Sequence, residues 1–138
     1  MGREQASAEV VRLLGRSRLV TLTGAGGTGK SRLALHVAEQ LRPGYRDGAF
    51  FADLSTVTDP ALVPSALARA LGVPESGRPV LEAVCDHLRD KQLLLVVDNF
   101  EQVAEAGPVL EELLLAAPGL RAVVTSRVVL SLRGEQEY

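Results

Sequence analysis

Residues 24–31 read Gly-Ala-Gly-Gly-Thr-Gly-Lys-Ser, a glycine-rich stretch that ends in a lysine and a hydroxyl. It fits the spacing G-x-x-x-x-G-K-[ST], which makes demands on the chain to either side. Gly24, Gly26, Gly27 and Gly29 permit positive φ and keep any Cβ out of the way of a bulky anion. The successive N–H groups of the stretch, those of Ala25 and Thr28 among them, then converge on the anion as a nest. A helix starting there adds the positive end of its dipole. Such a turn works only between a strand and a helix. Leu19–Thr23 before it reads as a short buried strand, and residues 32–41 after it read as a helix with Leu33, Val37 and Leu41 on one face. In this setting Lys30 reaches the β- and γ-phosphates of a bound triphosphate, and the Ser31 hydroxyl takes Mg²⁺. A purely structural turn that happens to end in Lys-Ser is the competing interpretation.

The rest of the chain repeats the alternation. Residues 4–14 carry Ala6, Val10, Leu13 and Leu14 at helical spacing. The loop helix runs from about Gly29 to Leu41 and is stopped by Pro43-Gly44. Residues 49–54 look like a second strand. Asp59-Pro60 is a helix N-cap with proline at the first position, and the helix bearing Val63, Leu67 and Leu71 ends at Gly72. Pro64 then falls near the end of the first turn, where it is tolerated only marginally. A helix over about 79–90 points Leu81, Val84, Cys85 and Leu88 inward. Residues 93–97 are a continuous apolar run, as expected of a strand buried on both faces. A helix near 108–117 and a strand over 120–125 complete the series. Strand and helix in alternation predict right-handed βαβ units around a parallel sheet.

Two strand ends carry polar residues where a parallel sheet presents its ligands. The run 93–97 delivers Asp98, followed by Asn99, Phe100 and Glu101. A carboxylate there faces Ser31 across a metal ion, directly or through water; as a plain helix N-cap it would have no such role. Hydrolysis also needs a group that orients or deprotonates water. Asn99 occupies the position where an acid often stands, and an amide orients water without accepting its proton. Glu101 is the nearest carboxylate, open to that role or to a solvated one, so slow hydrolysis is the expectation. The last strand ends in Thr125-Ser126-Arg127, where a guanidinium can sense a γ-phosphate or simply lie at the surface. His36 and His87 read as surface or packing residues on helices.

The chain of 138 residues suits one domain. Aromatics make up only 4%, with no tryptophan, so the core must be aliphatic. A net charge of −2 gives no electrostatic case for nucleic-acid binding. Cys85 is the single cysteine, which forbids an internal disulfide, and its helical neighbours favour an inert core thiol over a nucleophile. Neither a membrane-spanning run nor a signal peptide is visible, and the chain reads as cytoplasmic.

Taken together, these features resemble the STAND class of signal-transduction ATPases, related to NB-ARC domains. The resemblance is closest to the ATPase module of bacterial transcriptional regulators of LuxR and SARP-like type, and it covers nearly the whole chain. Gly2-Arg3-Glu4 is similar to a Gly-Arg-Glu motif that lies near the adenine in that class. Leu22-Thr23-Gly24 with Gly29-Lys30-Ser31-Arg32-Leu33-Ala34 is similar to its Walker A surroundings, Asp98–Glu101 to its Walker B, and Thr125–Arg127 to its first sensor. Val128 departs from the Glu often found after the sensor arginine.

The resemblance implies a three-layer α/β P-loop NTPase fold of the ASCE type. The implied strand order is 5-1-4-3-2, with the fifth strand cut short near Tyr138. It also implies that residues 1–138 are a nucleotide-binding piece of a larger multidomain protein, touching DNA only through a domain outside this chain. With the fifth strand missing, strand one becomes an edge, and self-association or coverage by a tail is expected beside Leu19–Thr23.

The leading expectation is an ATP/ADP- and Mg²⁺-binding regulatory switch with weak ATPase activity. A small-molecule phosphotransferase is the alternative, although only Arg69, Arg78 and Arg89 could serve an arginine-rich lid. A GTPase would show an Asn-Lys-x-Asp motif, which is absent. A non-hydrolysing interaction module is the remaining reading.

Overall fold

A computed structural model describes residues 2–24 and 29–138, with residues 2 and 3 described by backbone alone. Helix α1 spans Gly2–Arg16, followed by β1 (Leu19–Thr23) and α2 (Lys30–Leu41). Next come β2 (Ala49–Asp53), α3 (Val63–Leu71), α4 (Val80–Leu88) and β3 (Leu93–Asp98). Helix α5 (Gly107–Ala116), β4 (Leu120–Ser126) and β5 (Glu135–Glu137) close the chain. The strands form one sheet in the order β2-β3-β4-β1-β5, every pairing parallel. This is the predicted 5-1-4-3-2 order read from the other side.

Pleating divides the apolar strands between two helical layers. Val20, Leu22, Leu94, Val96 and Val123 face one side, where Val10 and Leu14 of α1 and Ala34 and Val37 of α2 cover them. Leu93, Leu95, Val97, Ala122 and Val124 face the other, against α3, α4 and α5. All six residues of β3 are buried, which explains why its sequence is continuously apolar up to Asp98. The core is aliphatic as composition required, with Phe100 its one large aromatic among fully buried side chains.

Two arginines tie helix ends to the sheet. The Arg18 guanidinium donates to the Leu114 and Leu120 carbonyls at 2.9 and 3.1 Å and also to Ala117, closing the C-terminus of α5. Arg121 does the same for the Leu14 carbonyl of α1. Burial, with Arg121 nearby, pulls the Arg18 pKa below its ordinary value.

Several boundaries differ from the sequence expectation for identifiable reasons. The segment after Asp59 is a 3-10 turn over Pro60–Leu62, with the Asp59 carboxylate accepting from Ala61 N at 3.0 Å. The α-helix restarts at Val63, so Pro64 lies in its first turn, where no N–H is needed. A second irregular helical stretch, Phe100–Ala106, follows β3 and carries a non-helical Val103.

The larger correction concerns strand one. It is not an edge: β4 pairs with it on one side, and Glu135–Glu137 pair with Leu19–Thr21 on the other. The Tyr138 N–H extends that ladder to the Thr21 carbonyl at 2.9 Å. The expected self-association through an exposed strand one therefore loses its physical basis, because the chain's own β5 covers it.

Candidate functional site

Gly24, the start of α2 and the C-terminal ends of β2, β3 and β4 lie at one rim of the sheet. Gly24 and Gly29, at the two ends of the loop, both take positive φ, 148° and 84°. Gly29 stands at the N-cap of α2. Ala25, Gly26, Gly27 and Thr28 lie outside the described residues. Lys30 opens the helix, and its ammonium donates to the Gly24 carbonyl at 2.8 Å.

Ser31 is the residue that joins loop to sheet. Its hydroxyl lies 2.8 and 2.9 Å from the two carboxylate oxygens of Asp98. Asp98 is only 5% exposed, and the Thr125 hydroxyl also donates to its Oδ1. The same Thr125 oxygen accepts the backbone N–H of Asn99 at 2.8 Å. That bond holds Asn99 in a left-handed conformation, φ 63° and ψ 53°, which turns the chain sharply at the end of β3. The Asn99 amide donates at 3.1 Å both to Asp98 Oδ2 and to Asp53 Oδ1. Every donor that these residues bring to the Asp98 carboxylate is neutral.

The remaining expected site residues stand further out. Glu101 is partly buried, and its Oε1 accepts the Arg127 backbone N–H at 3.2 Å, pinning the turn after β4. The Arg127 side chain is exposed and, like that of Arg32, makes no ion pair among the described residues. Glu4 is exposed in the first turn of α1. One turn on, the Ser7 hydroxyl donates to Gln40 at the far end of α2. Gln40 lies ten positions along the helix from Lys30, roughly 15 Å at the usual rise. The side chain of Arg3 lies outside the described atoms, and Gly2 is described by its backbone. Ser31, Asp98 and Asn99 therefore come together with Thr125, whereas Glu4, Glu101 and Arg127 do not join them.

Asp53 was missed by the sequence reading. It ends β2 directly opposite Asp98 in the β2–β3 register. Its carboxyl is held below the usual range by the Ser55 N–H at 2.9 Å and then by the Asn99 amide. An acid closing a strand that neighbours the Asp98 strand was the available signal.

The groups that face one another at the end of β3, the Ser31 hydroxyl and the Asp98 carboxylate, offer oxygen. No group of three His, Cys, Asp or Glu side chains capable of holding a metal exists among the described residues. Cys85 is buried in α4, with its thiol pushed up by burial and by nearby Glu112, far from nucleophilic use. No described helix is long and apolar enough to cross a membrane.

An all-parallel sheet in this order, with a glycine loop passing from its first strand into a helix, is the P-loop NTPase fold. Within it, the chain belongs to the AAA domain family, whose model matches residues 13–137. A Mycobacterium tuberculosis protein named as an HTH-type transcriptional regulator is 38% identical over 125 residues, covering 89% of this chain and 14% of its own length. The regulatory protein AfsR of Streptomyces griseus is 35% identical over 116 residues, covering 78% of this chain and 12% of that protein. The chain thus spans a small part of the curated relatives it matches. Among solved structures, Cdc6p from Pyrobaculum aerophilum superposes with a TM-score of 0.71 at 18% identity, over 99% of this chain and 45% of that one. The Aeropyrum pernix ORC2 protein, solved as ADPNP and ADP complexes, gives a TM-score of 0.61 at 18% identity over 91% of this chain and 40% of its own.

Proposed function

We propose that this domain binds ATP with Mg²⁺ and acts as a slowly hydrolysing, nucleotide-dependent switch within a larger transcriptional regulator of the STAND type. The carrying observation is the Ser31 hydroxyl set against the buried Asp98 carboxylate at 2.8 and 2.9 Å. The donor set fits a hard divalent cation, since both groups offer oxygen and the carboxylate's partners among the described residues, Ser31, Asn99 and Thr125, are all neutral. Mg²⁺ is commonly held by one or two protein oxygens with phosphate and water completing its shell, and when bound it neutralises charge on the transferring phosphate. Ser31 and Asp98 would hold it.

The other roles follow from position. The amides of residues 24–31 and the Lys30 ammonium bind the phosphates, Arg32 adds positive charge beside them, and Asn99 orients water. Arg127 is free to swing toward a γ-phosphate, and Gly2, Arg3 and Glu4 serve the adenine end. With Glu101 held by the Arg127 backbone, no acid stands beside Asp98 on its own strand to take a proton, which supports slow turnover. Relatives named as regulators support the switch reading, in which ATP and ADP favour different arrangements of the surrounding domains.

Calorimetric titration with ATP and GTP, with and without Mg²⁺, tests the proposal. Mg²⁺-dependent ATP binding is expected. Lys30→Ala should weaken it by about 2–4 kcal/mol if the ammonium meets phosphate, and Ser31→Ala should abolish most of the Mg²⁺ dependence. Affinity unaltered in both variants would reject the site.

A further inference from the structure

The Asn99 amide is oriented by what surrounds it. Its two N–H bonds are spent on two carboxylates, Asp53 Oδ1 and Asp98 Oδ2, each at 3.1 Å. The opposite flip would set a carbonyl oxygen against both acids, so the orientation is fixed chemically. The consequence is that Asn99 Oδ1, an acceptor, is the atom of the side chain left unspent among the described residues. An acceptor is what an attacking water needs: it takes one water O–H and turns a lone pair toward phosphorus. The backbone cooperates, because Thr125 holds Asn99 left-handed and Asp53 is brought alongside by β2–β3 register.

We infer that Asp53 is a positioning residue for ATP hydrolysis, clamping the Asn99 amide so that its oxygen orients the attacking water; this rests on the nucleotide reading above. Water oxygen bonds to the γ-phosphorus, and the bond from that phosphorus to the β–γ bridging oxygen breaks with its electron pair going to ADP. The amide cannot accept the water's proton, which leaves on the released phosphate. Asp53 itself touches neither water nor nucleotide. The Ser55 N–H donates to the same Asp53 Oδ1 at 2.9 Å, which fixes the carboxylate in place at a largely exposed strand end.

The test compares the wild-type chain with Asp53→Ala and Asp53→Asn, measuring equilibrium affinity for ATP and Mg²⁺ alongside kcat and KM for phosphate release. D53A should keep nucleotide affinity within about twofold while kcat drops by on the order of tenfold, since only orientation is lost. D53N keeps an oxygen that can accept the Asn99 N–H and should recover part of that loss. A wild-type kcat in D53A, an affinity that falls in step with kcat, or a D53N no faster than D53A overturns the inference. Wild-type protein that binds ATP but releases no phosphate overturns it as well, while leaving nucleotide binding intact. Wild-type protein that binds no ATP overturns the nucleotide reading itself.

Discussion

Thr21 sits at the centre of β1, fully buried, with a hydroxyl that has no hydrogen-bond partner among the described residues. An unpaired buried hydroxyl costs free energy that a methyl group of the same shape does not. Thr21→Val, which keeps the β-branched outline, should raise stability by about 1 kcal/mol; a thermal midpoint at or below wild type would contradict this. The same scale shows what the sequence could and could not disclose about the site. The meeting of Ser31 and Asp98 was legible because each is marked locally, one after a glycine-rich turn and the other after an apolar run. Asp53 carries none by itself. Its significance comes from lying opposite Asp98 in a ladder, and register between strands 45 residues apart is not written in either segment. The left-handed Asn99 was equally hidden, since Thr125, 26 residues onward, imposes it.

At the scale of elements, the alternation of periodicities was enough to place the regular helices and four strands, because both faces of the sheet are covered and apolar runs have nowhere else to go. The 3-10 stretches at Pro60–Leu62 and Phe100–Ala106 were not legible: they arise where a helix start is adjusted to fit Pro60 or the turn after Asn99. Gly119 illustrates how tightly these elements close. A Cβ there would lie 2.3 Å from the Lys91 carbonyl oxygen, which is backbone and cannot swing aside. Gly119→Ala should cost roughly 1–3 kcal/mol, while Gly15→Ala, with open space around it in α1, should gain about 0.5–1 kcal/mol. Urea midpoints that move the same way in both variants would refute this.

Helix α4 supplies a pH dependence. Burial, with Lys91 nearby, lowers the His87 pKa, so the folded state disfavours the imidazolium. The unfolded chain then binds more protons between that depressed pKa and the ordinary value near 6.5, so stability rises with pH across the window and is lost as pH falls through it. His87→Gln should flatten the change in unfolding midpoint between about pH 7.5 and 5.5; an equally steep change in the variant would remove His87 as its source.

For the molecule as a whole, the sheet's outer boundary beside β1 depends on three residues. Glu135–Glu137 form the whole of β5, yet they are anchored well beyond their own ladder. Ser17 donates to the Gly134 carbonyl at 2.6 Å, and the Thr23 hydroxyl donates to Glu137 at 2.7 Å. Glu135 accepts the backbone N–H groups of Leu130 and Leu132 at 3.0 and 3.1 Å, folding the preceding loop into shape. That loop is seated in turn by Leu132 against Gly107 of α5. So short a strand holds because contacts outside its ladder also fix it, which local propensity could not reveal in the sequence Glu-Gln-Glu. Since the Tyr138 N–H is donated to β1, the N–H two residues back faces the same way, and Gln136→Pro deletes it. The variant should melt earlier and expose the Leu19–Thr23 edge, gaining a concentration-dependent dimer in sedimentation velocity that wild-type protein lacks at equal concentration. If Gln136→Pro sediments and melts like wild type, β5 does not guard that edge.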